Sequence, residues 1–565
     1  MQIFENRRAP ALVSELKRYF ESAELSPVSP QLRGVLEANG NSSTDWDRVL
    51  VSPGFTGRMV RNCELEKVRI VGEVTLSTSR IADSAIGEHA VIRSCSFISR
   101  QLIGPGAHIE ATRLEHESAG PFGNDIEVSL GIEHSPVATP LAAEIDTGAL
   151  CRLAENGFLA TLPDDMRRLL HEYRDSLRSD FGVIGRDAEI LTAGTVRSSL
   201  IDANVRVDGS VLIEESTIVS SDDESTRIGA GAILRRALVQ PGASVTDGAR
   251  VSRSLIGAKA RVCDGATVSE SVIGARSVIA RGEVLCTLIG PLVNMNHNAL
   301  LIACLWPAGH GTVGSGAQVG SNHTSRLPDQ TLIAGEGLFF GLAVAIKFPA
   351  NYAESPYSVI ATGLITGPQR LRFPFSLISI LDDPPADAPT GYNRLIPGWM
   401  FSHNLFAVLR SERKHATRMG VAVSQTRAIR EQTLALVRDA LARLESVGQP
   451  GEWYDDGQIA GVGKNVLLEV DRKRGIAAYR ELLDYGEMRL ALDGGSPIDE
   501  ATRNRYLELI ERLKMRTRDS RARDHHRGGR IFDDYHLHHP HPDDDPELEA
   551  VISILEDEEE RLRRT

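Results

Sequence analysis

The sequence predicts a mainly β chain: a parallel β-helix carrying an α-helical insertion and followed by an α-helical C-terminal region. Three observations lead there. From Val239 to Gly290 aliphatic residues fall at Val239, Val245, Val251, Ile256, Val262, Val268, Ile273 and Ile279, in steps of six, six and five that close a cycle of 17 residues. Gly231, Gly248, Gly265 and Gly282 keep the same interval. Neither a helical period nor simple strand alternation produces such a rhythm, whereas a solenoid of three short strands per coil does. Third, the stretches that break the rhythm carry helical spacing instead.

Each coil needs one branched aliphatic per strand pointing inward, stacked on its equivalent one coil above; Val and Ile suit such pleated, buried positions. Corners need tight backbone, which Asp208-Gly209, Asp247-Gly248 and Asp264-Gly265 supply. Residues 1–67 read as a helix and loops, with Asn41 to Asp45 and Trp46 as a turn or cap. A first β-helix block runs over 68–136: Ile86, Ile92, Ile98, Ile103 and Ile109 step by six, six, five and six. Residues 137–180 form the insertion, where Met166, Leu169, Leu170, Tyr173 and Leu177 follow helical spacing. The main β-helix occupies 181–380; its rhythm resumes at Ile184, Ile190, Val196 and Ile201, and coils with distorted corners are expected beyond Gly290. Residues 381–565 turn helical, with Leu434, Val437, Leu441 and Leu444 on one face and Tyr506, Leu509, Ile510 and Leu513 on another, and include a polar, His-rich segment.

The chain has 565 residues, too many for one compact core. Net charge is 63 − 76 = −13, which argues against nucleic acid and membrane surfaces as partners. Six scattered cysteines without a CxxC pair are expected to be reduced, which points to the cytoplasm. The N-terminal stretch is amphipathic and lacks the apolar run of a signal peptide; the longest such run, Leu338 to Ile346, is far short of a membrane span.

The repeat, with Ile256-Gly257 and Ile273-Gly274 each followed by an aliphatic six residues on, resembles the left-handed β-helix of the hexapeptide-repeat superfamily, which includes trimeric acyltransferases and sugar-nucleotide enzymes. The whole chain also resembles an uncharacterised bacterial family carrying a domain of unknown function. That likeness rests on Gly40-Asn41 with Trp46, the split coil blocks, Gly290-Pro291 through His297, and the stretch from Arg527 to Tyr535. The first resemblance implies a homotrimer, a coenzyme A thioester as donor, and a corner histidine that deprotonates the hydroxyl or amine of a sugar or nucleotide-sugar acceptor.

His297, His323 and His310, each beside Gly or Asn, are the candidate catalytic residues, since imidazole titrates near neutrality; His297 ranks first, because it follows the last regular coil and lies between two asparagines, and His323 second, with Arg326 three residues on. The alternative is that they are corner residues in left-handed backbone. Asn294, Asn296, Asn322, Arg326 and Lys347 are the candidate substrate contacts; Tyr352, Tyr357, Arg370 and Arg372 could add to anion binding or serve as surface and salt-bridge residues. Three histidines could also bind zinc, as in the resembled γ-class carbonic anhydrases, but steps of 13 do not match a 17-residue coil, so no metal site is assigned. Histidines 525, 526, 536, 538, 539 and 541 read as a solvated tail. No nucleotidyltransferase loop precedes the coils, and no P-loop or GxSxG occurs. Three functions remain: an acyltransferase-like enzyme, a non-catalytic binding or scaffold β-helix related to the C-terminal part of sugar-nucleotide pyrophosphorylases, and a metal enzyme of the carbonic anhydrase kind.

Overall fold

The computed structural model describes residues 3–4, 6–117, 119–132, 138–155, 162–320, 331–347, 349–495, 497–534 and 545–564. The chain is a left-handed parallel β-helix with α-helical parts, and it divides into two compact units, 1–309 with 320–331, and 310–319 with 332–565.

In unit 1 the rhythm becomes three stacks of short parallel strands. Leu255–Ile256, Arg261–Cys263 and Thr267–Ser269 make one coil; Val272–Ile273, Val278–Ala280 and Glu283–Leu285 make the next. Their registers set Ile256 on Ile273, Val262 on Ile279 and Val268 on Val284, all fully buried inside. Ile256 lies between Val239 and Ile273, as the spacing predicts. The chain turns through left-handed residues at Asp247-Gly248 (φ 56° and 76°) and Asp264-Gly265 (φ 56° and 74°). At another corner hydroxyls bridge the coils. Ser254 Oγ accepts from the Ser271 N–H at 3.0 Å, Ser271 Oγ from Thr287 at 3.1 Å, and Thr287 Oγ1 from Cys304 at 3.2 Å. These buried hydroxyls satisfy amides that the corner geometry withdraws from the ladder.

One of the three sides of unit 1 is apolar on both faces. Leu238, Leu255, Val272 and Leu288 occupy its outward positions, yet all are fully buried. They belong to one cluster with Leu12, Leu16 and Phe20 of α1 (Arg8–Glu21) and with Phe122, Ile126, Val128 and Leu141 from the segment that leaves the coils after Glu115. Leu150 of α3 (Thr147–Glu155) and Met166, Leu170 and Tyr173 of α4 (Asp164–Ser176) join the same cluster. Strands buried on both faces read as continuous aliphatic pairs, which is why Leu255-Ile256, Val272-Ile273 and Leu288-Ile289 have no polar partner residue. A second helix, α2 (Pro30–Ala38), precedes the first coils, whose strands already include Leu50–Val51 and Val60–Arg61.

The cover is pinned by buried polar groups. Glu144 accepts hydrogen bonds from the Arg8 and Ala9 amides at 2.7 and 3.0 Å, and from Tyr173 Oη at 2.8 Å. Its carboxylate thus stands at the start of α1, where free N–H groups and the helix dipole favour it. Gln240 donates to the Ala143 and Ile145 carbonyls at 3.1 and 2.8 Å.

In unit 2 the coils stack Val313, Phe340, Ile360 and Ile378 in register. The last of these strands, Leu377–Ser379, pairs antiparallel with Asn393–Ile396, which pairs in turn with Asn465–Leu468. This closing β layer covers an edge that would otherwise invite further strands. The helices are α5 (Trp399–Ser402), α6 (Leu405–Met419), α7 (Glu431–Glu445), α8 (Glu469–Gly494), α9 (Glu500–Asp534) and α10 (Pro546–Arg564). No helix among the described residues is long and apolar enough to cross a membrane. The six cysteines are unbridged and buried, and burial pushes the Cys151 thiol up to about 12.

The double-sided side of unit 1 gives a direct test. Leu255→Ala is expected to destabilise as much as Ile256→Ala, by about 2–5 kcal/mol each, because both leave a cavity. Arg250→Ala on an open side should change stability by less than about 0.5 kcal/mol. Denaturant unfolding of the three variants measures this; a near-neutral Leu255→Ala would show that the cover does not pack.

Candidate active site

The backbone of unit 2 sets up one column of corner residues. His310, Gly337, Tyr357 and Phe375 each lie two positions before a strand of the Val313 stack, and all four are left-handed, with φ of 60°, 64°, 56° and 53°. Gly337 is required there: a Cβ would come within 2.3 Å of the Tyr357 ring. The Tyr357 ring in turn stacks on Phe375, centroids 5.4 Å apart.

Glu336, just before Gly337, is the centre of the polar group that results. Its Oε1 accepts from Tyr357 Oη at 2.7 Å and faces His310 Nδ1 at 3.8 Å; its Oε2 accepts from Arg430 Nη2 at 2.6 Å. The first contact is a hydrogen bond, whereas the imidazole contact is an ion-pair distance. Arg430 caps α7, its backbone N–H donating to Thr433 Oγ1. His415 of α6 sets its ring 5.0 Å from that of His310 at 64°. His310 keeps 22% and Glu336 13% of side-chain exposure, so the centre is sheltered and still open to solvent.

Burial dominates the electrostatics. It lowers the His415 pKa to about 3, with His310, Arg418 and Lys414 adding to the effect, so that ring is neutral at pH 7. Burial, with Glu336 next, raises the Tyr357 phenol well above its usual range, which keeps it a hydrogen-bond donor. Burial opposes the Arg430 charge, but Glu336 and Tyr357 outweigh it and raise its pKa. Deeper in the helices Arg489 Nη1 donates to Glu412 Oε1 at 2.9 Å and its Nε to Glu558 Oε1 at 2.8 Å, while Tyr485 Oη donates to Glu558 Oε2 at 2.8 Å. Glu412 Oε1 also accepts from the Ala428 N–H at 2.9 Å, which ties this inner network to the turn before Arg430.

The other predicted site residues lie elsewhere. His297 is exposed at a corner of unit 1, where His297-Asn298 (φ 57° and 60°) occupies the place that Asp-Gly pairs hold in earlier coils. Asn294 is half-buried in the strand Asn294–Met295, paired with Val278, and Asn296 follows it, half-buried. Lys347 is exposed, its backbone N–H bonded to the Thr366 carbonyl. Tyr352 is buried and accepts from Gln369 at 3.1 Å. Arg370 and Arg372 both pair with Glu354, so their charge is met within unit 2. Asn322, His323 and Arg326 lie outside the described residues, as do histidines 536, 538, 539 and 541. His525 contacts Asp545 at 3.0 Å, and Asp545 is pulled down to about 2 because His525 and Arg521 outweigh its burial. Among the described residues no three His, Cys, Asp or Glu are placed to hold a metal ion.

Of the candidate histidines, His310 thus faces a carboxylate, that of Glu336, and the sequence reading missed Glu336, Arg430 and His415. A signal existed for His415. Leu405, Val408, Leu409, Glu412, His415 and Ala416 are the buried positions of α6, so two titratable residues stand on its apolar stripe.

The same burial predicts a pH dependence. The folded chain resists protonating His415 until about pH 3, whereas the free side chain takes its proton near 6.5. Between those values the unfolded chain binds more protons, so this contribution is complete above about pH 6.5 and is lost as pH falls toward 3. The slope is at most roughly 1.4 kcal/mol per pH unit. Unfolding measured at several pH values should show a shallower dependence over this window for His415→Gln than for the wild type; identical slopes would refute the assignment.

A family model described as a domain of unknown function, DUF4954, matches residues 34–378, a span that contains the His310, Glu336 and Tyr357 column and stops short of α5–α10. The chain is also 30% identical over 493 residues to an "Uncharacterized protein" of Treponema pallidum (strain Nichols), covering 80% of this chain and 66% of that relative. It thus spans just under two thirds of the length of the curated relative it matches. A match of this extent, over more than half of the sequence, shows that the chain belongs to the DUF4954 family.

Proposed function

We propose that the chain is an acyltransferase-like enzyme of the hexapeptide-repeat kind, with His310 as general base. One observation carries this reading: the His310 imidazole faces Glu336, and Tyr357 and Arg430 hold that carboxylate in place. A carboxylate 3.8 Å from Nδ1 stabilises the imidazolium electrostatically once a proton arrives. His310 would take the proton from the hydroxyl or amine of a sugar or nucleotide-sugar acceptor. The acceptor attacks the carbonyl of a coenzyme A thioester, the C–S bond breaks, and the proton passes from His310 to the departing thiolate. Arg430, bonded to Glu336 Oε2 at 2.6 Å, brings a positive charge to the other side of that carboxylate.

The rival reading, a non-catalytic binding or scaffold β-helix, draws on two clefts beside α1 in unit 1, lined in part by Arg8, Leu12 and Tyr19 on one side and by Lys17 and Phe20 on the other. The two readings part in a thiol-release assay with acyl-coenzyme A and a panel of nucleotide sugars. The buried cysteines favour a low background in such an assay. His310→Ala should lower turnover by roughly 10²–10⁴-fold with an unchanged melting midpoint, while His297→Ala should leave it unaltered. Wild-type protein that neither binds coenzyme A nor releases thiol would sink the enzymatic reading.

A homotrimer belongs to the same proposal. In unit 1 the side covered by α1 and the insertion is occupied by the chain itself, so self-association would use an uncovered side. Light scattering should then give three times the monomer mass of 61.5 kDa, and a monomer at micromolar concentration would contradict it.

A further inference from the structure

Arg430, the cation that holds Glu336, comes from outside the coils and is fixed by more than a helix start requires. Thr433 Oγ1 accepts from the Arg430 N–H at 3.1 Å and donates to the Ala428 carbonyl at 2.7 Å. Glu412 Oε1 of α6 accepts from the Ala428 N–H at 2.9 Å. Arg427 Nη1 donates to the Arg489 carbonyl at 3.3 Å and pairs with Asp493, both of α8. Arg430 Nη1 donates back to the Arg427 carbonyl at 3.0 Å, so its guanidinium spans from that turn to Glu336. Residues 427–430 are thus gripped by α6, α7 and α8, and Arg427, Ala428 and Ile429 are buried.

The grip is passed on to α10. Arg489 bonds Glu412 through Nη1 at 2.9 Å and Glu558 of α10 through Nε at 2.8 Å, and all three side chains are buried. Arg561 of α10 donates to Asp493 Oδ1 at 3.0 Å. This is not the least costly way to pack helices. Glu412 Oε2, Arg489 Nη2 and Arg427 Nε find no hydrogen-bond partner among the described residues. Unpaired buried polar atoms are unfavourable, and apolar side chains of similar volume often replace a buried ion pair without loss of stability. What an apolar core cannot supply is an acceptor for the Ala428 amide and a counter-charge for Arg427, and both of these lie in the turn that carries Arg430. The buried stripe of α6 that presents Glu412 also presents His415 to His310, one turn further on.

We infer that α10 is a working part of the His310 centre: Glu558, acting through Arg489 and Glu412, is a positioning residue that fixes the Arg427–Arg430 turn and keeps Arg430 on Glu336. The family match ends at residue 378, so a centre whose imidazole, carboxylate and phenol lie in the matched coils takes its cation from the helical layer beyond them. The effect on turnover rests on the reading of His310 as a general base; the effect on the His310 ring does not.

NMR of the full chain tests it through the ring C–H signal of His310, identified by its loss in His310→Gln, with thiol release as the second measurement. Arg430→Ala gives the position of that signal once Glu336 is no longer held. Glu558→Gln should displace the signal in the same direction. So should Thr433→Val, which removes a hydroxyl and no charge, whereas Thr433→Ser, which keeps the hydroxyl, should leave the signal at its wild-type position. Each variant is compared below its melting midpoint. Thiol release should fall by roughly 10-fold or more in Glu558→Gln and Thr433→Val. The inference is overturned if these two variants lose stability or turnover while the His310 signal stays in place, since they then serve the fold alone, or if Arg430→Ala itself does not move the signal. Wild type without turnover would fail the enzymatic reading, and the ring signal would then decide the inference by itself.

Discussion

The architecture of unit 1 depends on one constraint: a side of the coil whose strands are aliphatic on both faces. The inward set is satisfied by stacking, coil on coil. The outward set, Leu238, Leu255, Val272 and Leu288, is not, and leaving it in water would forfeit about 1.5–3 kcal/mol for each large side chain. The chain meets this demand from its own sequence. It brings α1 from the N-terminus and an excursion from between two coils onto that side, and locks them with Glu144 and Gln240. The cleft beside α1 and the pairing of Arg8 with Asp202 both follow from where that cover lies.

The coil rhythm was open to sequence reading because each strand contributes one inward aliphatic, and a period of six, six and five survives substitutions elsewhere. Ile256 falls where the spacing puts it. The outward ladder was equally present in Leu255-Ile256 and Val272-Ile273, but only the second member of each pair enters the period, so the covered side escaped notice. Helical spacing after Asp164 marked α4, whereas the described residues between Phe122 and Ile145 carry the short strands Glu127–Val128 and Thr139–Pro140, which announce nothing locally.

The candidate site was half legible for a related reason. His310 stands out among glycines, and Tyr357 among the residues of an anion site. Glu336 sits inside an aliphatic and glycine-rich run, and Arg430 and His415 come from helices that no coil period can align with a corner. Their meeting is tertiary. It rests on successive left-handed corners stacking in one column, and on the start of α7 lying against that column. The inner network of Arg489, Glu412 and Glu558 is of the kind that favours one arrangement of helices more than it adds net stability, because removing either sign leaves a buried charge unmatched.

The carboxylate at the start of α1 has a consequence for the order in which the protein assembles. The amides of Arg8 and Ala9 find their acceptor 136 and 135 residues further along, in Glu144, and the Arg8 guanidinium reaches Asp202 at a separation of 194. A 14-residue helix is marginal by itself in water. During synthesis, α1 is therefore made well before the residues that secure its first turn. Its apolar stripe of Leu12, Leu16 and Phe20 shares one cluster with Ala85 and Leu102 of the coils before the insertion and with Val183, Leu200 and Leu238 beyond it, so its packing surface is complete only once both sets exist. Helix α1 acts as a latch across the insertion, and a chain interrupted before residue 144 leaves that latch open.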